Sequence, residues 1–497
     1  MGQMRRRESL SAAFLPQIDA DSSISLVRQL YLSLRGAIIA GRLGPGHRLP
    51  STRLASKEWR LSRGSIAEAY EILIAEGYAS ARHGSGTYVS SGLPDIFSRL
   101  EKTTQTSTVP PRRAVSTAAA KAVALMTSLE PPKQVPFATG RIVHDERTAR
   151  LLNRIASRHL NCARDGYGDI QGEPELRSAV VAYLTASRGV RCTADQVFIT
   201  SGTQQALDLA FRVLVSPGDT VFVEDPCYPP TRHALTVHGA RVVGLPVDRE
   251  GLITGNLTNF NPEPPTLFYV TPSHQYPAGS TLSLTRRLEL LSYARGNGCW
   301  IVEDDYDSEF RYEGHPIASL QGLDQADRVI YAGTFSKALL PSLRVGYLVV
   351  PPDLAQTFRA VRPVLDRFPP VLPQRIVSDF LNEGYFPAHL RRLRERHRAS
   401  RNLLAHLLQE RMAEHLRVSV PEQGIHLTAG STGTWESDVA VSLAAQRNGV
   451  VVIPASPMYI SGAPEQRLLF GISGLSPQEA DWGTRILADV FSRKLHC

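Results

Sequence analysis

Tyr331-Ala332-Gly333-Thr334-Phe335-Ser336-Lys337 follows the apolar pair Val329-Ile330 and leads into Pro341-Ser342-Leu343-Arg344-Val345-Gly346. A lysine just past a buried strand, among small hydroxylated and glycine residues, suits condensation with an aldehyde cofactor. Partial desolvation lowers the pKa of an amine and favours its nucleophilic form. Lys337 is therefore the candidate covalent anchor. Solvated surfaces also carry lysines after strands, so the reading turns on the surrounding sequence.

Upstream, Cys299-Trp300-Ile301-Val302-Glu303-Asp304-Asp305-Tyr306 is an apolar strand that ends in a carboxylate cluster. Pyridoxal 5'-phosphate (PLP) needs a carboxylate beside its pyridinium nitrogen to keep the ring an electron sink. Asp304 fits that role, and Tyr306 stands close enough in sequence to reach the ring hydroxyl.

From Pro136 onward strand-like and helix-like stretches alternate. Val197-Phe198-Ile199, Val221-Phe222-Val223, Val242-Val243, Leu267 to Val270, Trp300-Ile301-Val302, Val329-Ile330-Tyr331 and Val345 to Val350 read as strands. Leu207 to Leu214 and Arg286 to Ala294 read as helices between them. Near-continuous apolar strands separated by helices imply an α/β fold with a mostly parallel sheet covered on both faces. Ligands of such sheets bind beyond the carboxyl ends of the strands, which is where this chain sets its polar residues. Ser201-Gly202-Thr203-Gln204 opens a helix and can cradle a phosphate. Tyr228 can stack on a planar ring, or be a core or surface aromatic. Arg344 can clamp a phosphate with two hydrogen bonds.

The N-terminal portion is different in kind. The chain of 497 residues carries a net charge of +8. Residues 1–90 hold twelve Lys and Arg against seven acids, so the excess is concentrated there and suggests a nucleic-acid contact. Leu26, Leu30, Leu34 and Ile38 recur every fourth residue, as in an amphipathic helix that stops at Gly41. Ser51 or Thr52 then caps a short helix, and Ser62 opens another with Ile66, Tyr70, Leu73 and Ile74 inward. Two β-prone pieces around His83-Gly84-Ser85-Gly86 complete a hairpin. Three helices and a hairpin make a winged helix-turn-helix. From Ser90 to about Val135 periodicity disappears, and Thr103 to Thr108 with Pro110-Pro111-Arg112-Arg113 reads as linker; its middle, Ala114 to Leu129, can form a transient helix.

The five cysteines are scattered, with no zinc-like spacing, so no metal site is expected and a reducing cytoplasm is. Arg5-Arg6-Arg7 precedes no long apolar run, so neither a secretory signal nor a membrane span is expected.

Residues 26–89 resemble the DNA-binding domain of the GntR family. The resemblance implies that Arg53, Ser62, Arg63, Gly64, Ser65, His83 and Gly84 meet double-stranded DNA, with Gly64 standing where a larger side chain is common. Residues from about 137 onward resemble a fold-type I aminotransferase. Tyr167 to Gly172, Thr271 to Pro277, Glu303 to Tyr312 and Gly333 to Lys337 are similar to the variants found in MocR-type regulators, GntR-family proteins with an aminotransferase-like effector domain.

That resemblance implies Lys337 as the lysine bonded to PLP, Asp304 as the pyridinium partner, Tyr306 near the ring oxygen and Tyr228 as the stacking ring. Gly202, Thr203, Thr334 and Arg344 would surround the phosphate. Tyr276 stands where aminotransferases commonly carry Asn, so one cofactor contact differs. Arg467 resembles the arginine that holds a substrate carboxylate, or else it caps a buried strand. A homodimer is implied as well.

The expected layout is a winged helix at 24–90, a linker at 91–135 and an effector domain at 136–497. The expected function is a cytoplasmic PLP-dependent transcriptional regulator that senses PLP or an amine or amino-acid effector through Schiff-base exchange at Lys337, with at most vestigial transaminase activity. The alternative is a working aminotransferase with an appended DNA-binding domain.

Overall fold

The computed structural model describes residues 14–19, 22–82, 84–91, 115–125, 134–141, 145–161, 166–255, 257, 263–314, 317–435, 437–461 and 463–492. The chain divides into two units, Met1–Arg113 and Ala114–Cys497.

In the first unit the leucines four apart form one face of α1 (Leu26–Ile39), which buries Leu30, Tyr31, Leu34, Ala37 and Ile38. Serine caps start the next two helices, because a side-chain oxygen there satisfies an amide that has no partner within the helix. Ser51 Oγ accepts from Leu54 N at 3.2 Å to open α2 (Thr52–Trp59). Ser62 Oγ accepts from Ser65 N at 3.0 Å to open α3 (Arg63–Ala75). α3 buries Ile66, Ala69, Tyr70 and Leu73. Ile74, expected inward, is half-buried, since Ala69 and not residue 74 completes the 3.6-residue stripe.

β1 (Ala79–Arg82) pairs antiparallel with β2 (Gly86–Val89), Ala79 opposite Val89. The chain after α1 joins the hairpin through Val89 N to His47 O at 2.8 Å and Leu49 N to Thr87 O at 2.8 Å. Leu30, Leu34, Leu49, Ile66, Leu73 and Val89 share one core, so three helices and the wing form a single packed body.

Of the linker, 91, 115–125 and 134–135 lie among the described residues, and Thr117–Leu125 is helical. Thr103 to Thr108 and Pro110 to Arg113 lie outside the described residues.

The second unit is built on β3 (Val197–Thr200), β4 (Thr220–Asp225), β5 (Arg241–Asp248), β6 (Gly251–Leu252), β7 (Leu267–Val270), β8 (Trp300–Asp305), β9 (Val329–Thr334) and β10 (Gly346–Val349). They form one sheet in the order β3-β10-β9-β8-β7-β4-β5-β6. β4, β5, β7, β8 and β9 run parallel. β10 runs antiparallel between β3 and β9. Adjacent residues of a strand enter different apolar clusters. Val197, Ile199, Tyr331 and Tyr347 pack into one, Phe198, Ile330 and Leu348 into another, which is how helices come to cover both faces.

A second, antiparallel sheet was not foreseen from sequence. β11 (Leu416–Ser419), β12 (His426–Ser431), β13 (Ile453–Pro454) and β14 (Arg467–Gly471) lie in the order β11-β12-β14-β13. The helices Tyr385–Met412 and Pro477–Ser492 share its core, with Leu404, Leu408, Leu427, Leu468, Phe470 and Leu487 buried together.

Ser62→Ala removes a cap and should lower the stability of the N-terminal unit by about 1 kcal/mol. Chemical denaturation followed at Trp59 checks this, and an unchanged midpoint would show that the Ser62 cap contributes nothing.

Candidate cofactor site and DNA-reading face

Strand pleating sorts the carboxylate cluster, because successive side chains of β8 point to opposite faces. Glu303 and Asp305 fall on one side. Glu303 accepts backbone N–H groups from Leu320 at 2.9 Å and Gln321 at 3.0 Å. Asp305 Oδ2 accepts from Arg188 Nε at 2.8 Å, Ser308 Oγ at 2.8 Å and the Tyr331 hydroxyl. Asp304 points the other way. Its Oδ2 accepts from Tyr269 Oη at 2.8 Å, while its Oδ1 is buried with no hydrogen-bond partner.

Burial pushes the Asp304 carboxyl up to about 7, against the lowering effect of the Tyr269 hydroxyl. A buried carboxylate oxygen with no partner is costly unless something pairs with it, and a pyridinium N–H is such a partner. Asp305 Oδ1 is unpaired as well, but Asp305 is already held by the Arg188 guanidinium, whereas among the described residues no cation pairs with Asp304, and on that difference the residues present fit PLP.

Lys337 stands three residues past the end of β9. Burial lowers its amine pKa; Asp307 and Asp304 oppose that effect and Arg344 adds to it. The amine is therefore within reach of the charges of all three.

The candidate phosphate end is brought together by β10. Gly346 pairs with Thr200 on one side and Thr334 on the other, which brings the Gly202 turn and the Thr334 turn together. Gly202, at φ 92°, precedes the helix Thr203–Leu214. A Cβ there would stand 2.7 Å from Arg344 Nη2, so only glycine lets the guanidinium lie against the helix start. Arg344 Nη2 donates to Ser201 O at 2.7 Å. Thr334 Oγ1 accepts from Ser336 N at 3.1 Å, and Ser336 Oγ is buried without a partner. Helix-start amides, a guanidinium and an unpaired hydroxyl make an anion cradle.

Tyr228 precedes the helix Pro229–His238, and its ring meets that of Tyr276 edge-on at 5.2 Å. Burial, then Asp304, pushes its hydroxyl up to about 12 against Arg344, so the ring lies where both charges are felt.

Tyr306 Oη lies 3.0 Å from His274 O and 3.1 Å from His274 Nδ1. His274 Nδ1 in turn lies 2.9 Å from Asp307 Oδ2. His426, the first residue of β12, has its ring 4.7 Å from that of His274 and tilted 35° to it. Ligand atoms of His274, Asp307 and His426 all lie within 4.8 Å of one another, the one such grouping among the described residues. Sequence reasoning placed His274 at a strand end but gave it no role, and it missed His426 with the sheet that carries it.

Arg467 opens β14, yet its guanidinium pairs with Glu465 at 2.6 Å rather than with a member of the Lys337 cluster. Arg232, near Tyr228, donates to Tyr459 O at 3.1 Å.

In the N-terminal unit, Arg53 on α2 and Arg63 with Gly64 on α3 are exposed, as are the Ser62 cap and Gly84 at the tip of the wing. Ser65 is half-buried, its Oγ 2.8 Å from that of Ser62. His83 lies outside the described residues. A Cβ on Gly64 would meet only Ser62 Oγ, at 3.9 Å, so the start of α3 has room for a side chain that this chain lacks. Arg82 lies over the Tyr88 ring at 4.8 Å, a cation on the wing that the sequence reading passed over.

Comparison with known proteins agrees with both halves. The model for aminotransferase class I and II matches residues 132–482, and that for bacterial regulatory proteins of the gntR family matches 26–89. The probable rhizopine catabolism regulatory protein MocR of Rhizobium meliloti is 37% identical, over 95% of this chain and 95% of its own. The pyridoxine biosynthesis transcriptional regulator PdxR of Corynebacterium glutamicum is 30% identical, over 94% of this chain and 96% of its own. Among solved structures, the α-aminoadipate aminotransferase LysN of Thermus thermophilus, complexed with N-(5'-phosphopyridoxyl)-L-leucine, superposes with a TM-score of 0.68 at 26% identity. It covers 77% of this chain and 98% of its own.

The Asp304 carboxyl gives a pH test on cofactor-free protein. Its folded pKa, about 7, lies above the ordinary value of 3.8. The stability tied to its proton is therefore fully present below that ordinary value and is lost as pH rises through about 7. Asp304→Asn should be more stable than the parent at pH 8, with the difference shrinking by pH 5, in urea unfolding without PLP. An equal difference at both pH values would contradict a buried, proton-binding Asp304.

Proposed function

The chain belongs to the GntR family of bacterial regulatory proteins, in the MocR-type branch with an aminotransferase class I and II domain, and from that premise we propose that it senses PLP or an amine or amino-acid effector at Lys337 and passes the result to DNA. The cofactor is PLP. When bound it supplies an aldehyde with which primary amines condense reversibly, and a ring that withdraws electrons.

The observation that carries the reading is the joint one at Asp304 and Lys337. An orphaned buried carboxylate oxygen and an amine held below its ordinary pKa lie near enough to act on each other's charge. In this reading Asp304 holds the ring nitrogen and Tyr228 faces the ring. Tyr306 donates to the ring oxygen. Gly202, Thr203, Thr334 and Arg344 hold the phosphate. Lys337 offers its amine to the aldehyde carbon, and an effector amine competes for that position. Arg467 takes an effector carboxylate by exchanging Glu465. Turnover is at most vestigial in this reading.

On the DNA side Arg63 reads a base edge or phosphate, with Arg53, Ser62, Gly64, Ser65, His83 and Gly84 around it. We divide the chain into winged helix 24–90, linker 91–135 and effector domain 136–497. A homodimer is supported by an exposed patch on the second unit. There Tyr167, 80% exposed, stacks on Phe368 at 5.1 Å beside Arg367 and the exposed Val364. No described helix is long and apolar enough to cross a membrane, and we place the protein in the cytoplasm with its operator.

An effector can act only through different affinities for two states of the protein, typically ~1–3 kcal/mol of coupling. Operator affinity measured with and without PLP and candidate amines should shift about 5- to 150-fold in the parent protein. Lys337→Ala should keep the cofactor-free affinity and lose the shift, together with the borohydride-fixed adduct. An identical response in both proteins would sink the reading. Arg63→Ala should weaken specific binding by ~1–3 kcal/mol if the contact is to a base. Unchanged operator affinity would remove α3 from the interface.

A further inference from the structure

The residue after the anchor lysine is held by a buried histidine. His389, on the helix Tyr385–Met412, places Nε2 2.6 Å from Ala338 O. A carbonyl only accepts, so Nε2 carries the proton. Its Nδ1 lies 2.9 Å from Thr148 Oγ1, on the helix Glu146–Asn161. Thr148 Oγ1 accepts from Arg392 Nη2 at 3.3 Å, which leaves its own hydrogen for Nδ1. Arg392 Nε pairs with Asp145 Oδ2 at 2.9 Å, and Asp145 Oδ1 accepts from Thr148 N at 2.6 Å. The donors therefore run one way, Arg392 to Thr148 to His389 to Ala338 O. Thr148 and His389 are both fully buried, so neither can exchange a partner for water.

The two ends of this chain matter to the reading above. One is the carbonyl of Ala338, in the peptide that follows the residue next to Lys337. The other is Asp145 and Thr148, at the first long helix after the linker. The helix that carries His389 spans 28 residues, about 42 Å of rise. Farther along, its Arg394 Nε donates to Glu309 O at 2.5 Å and its His397 Nε2 lies 3.2 Å from Ser473 Oγ. Its last turn sends Arg411 to Asp481 O at 2.7 Å and to Thr484 Oγ1 at 2.6 Å. One rigid element thus touches the lysine turn, the segment that emerges from the linker, and the C-terminal sheet.

We propose that His389 is a positioning residue for Lys337, and that the Arg392–Thr148–His389–Ala338 hydrogen-bond chain passes a shift of the lysine turn to the helix Glu146–Asn161. This rests on Lys337 being the sensing residue. A shift of the Ala338 carbonyl must either drag the imidazole or break a buried hydrogen bond, and the second is costly in an apolar setting. The imidazole is fixed by Thr148, so the displacement reaches the helix next to the linker.

The test is amide hydrogen exchange of the full-length protein, cofactor-free and at saturating PLP, for the parent, His389→Leu, His389→Gln and Thr148→Val. In the parent, PLP should change the protection of Glu146–Asn161. His389→Gln keeps a donor for Ala338 O and should restore much of that change, whereas His389→Leu and Thr148→Val should confine it to residues around Lys337. Operator affinity is measured on the same samples, and its response to PLP should fall to within about twofold in His389→Leu and Thr148→Val. If His389→Leu does not fold, Thr148→Val decides alone. A parental pattern of exchange in both Leu and Val variants overturns the proposal. Operator affinity that ignores PLP and amines in every protein overturns the sensing function, while the exchange pattern still decides the relay.

Discussion

A carboxylate that is buried and only half paired is the constraint from which the rest of this site follows. Asp304 is fixed on one oxygen by Tyr269, and its other oxygen faces no donor. Such a group is tolerated when a cation completes it, and the ring nitrogen of PLP, when protonated, is one. Strand pleating turns Asp304 away from Glu303 and Asp305. Asp305 also leaves its Oδ1 without a partner, but its Oδ2 is held by the Arg188 guanidinium at 2.8 Å, whereas no guanidinium or ammonium pairs with Asp304 among the described residues.

The sheet converts that local arrangement into a site. Five parallel strands end on the same edge, and β10, inserted antiparallel, draws the Gly202 turn and the Thr334–Lys337 turn to the same place. Cofactor chemistry at this edge is common to enzymes and regulators of the same fold, and the fold alone does not distinguish them. The winged helix adds the module of the gntR family to a body that otherwise superposes on aminotransferases.

Much of this was legible in the sequence, and the parts that were not share a cause. Apolar runs broken by polar ends revealed the parallel strands and the residues at their tips, because a strand buried on both faces leaves an unmistakable pattern. The cap at Ser62 marked a helix start to the residue, and the choice of Ser51 or Thr52 marked the one before it to within a residue. The C-terminal sheet was invisible, since β12 reads His-Leu-Thr-Ala-Gly-Ser and β13 is two residues long. His426 was lost with it. Contacts that join distant segments, such as His389 with Ala338 and Thr148 or Arg467 with Glu465, have no periodic signature. Arg467 shows the limit clearly: its place on a strand was readable, but the acid that occupies its guanidinium was not.

Sensing at Lys337 requires reciprocity, because coupling between two binding sites is one free energy seen from either side. The direct measurement is the affinity of the full-length protein for PLP, and for an amine that alters operator binding, with and without saturating operator DNA. The factor by which DNA changes the ligand affinity should equal the factor by which that ligand changes the DNA affinity, and should be one in Lys337→Ala. A ligand affinity that operator DNA leaves untouched in the parent protein would contradict sensing at this lysine.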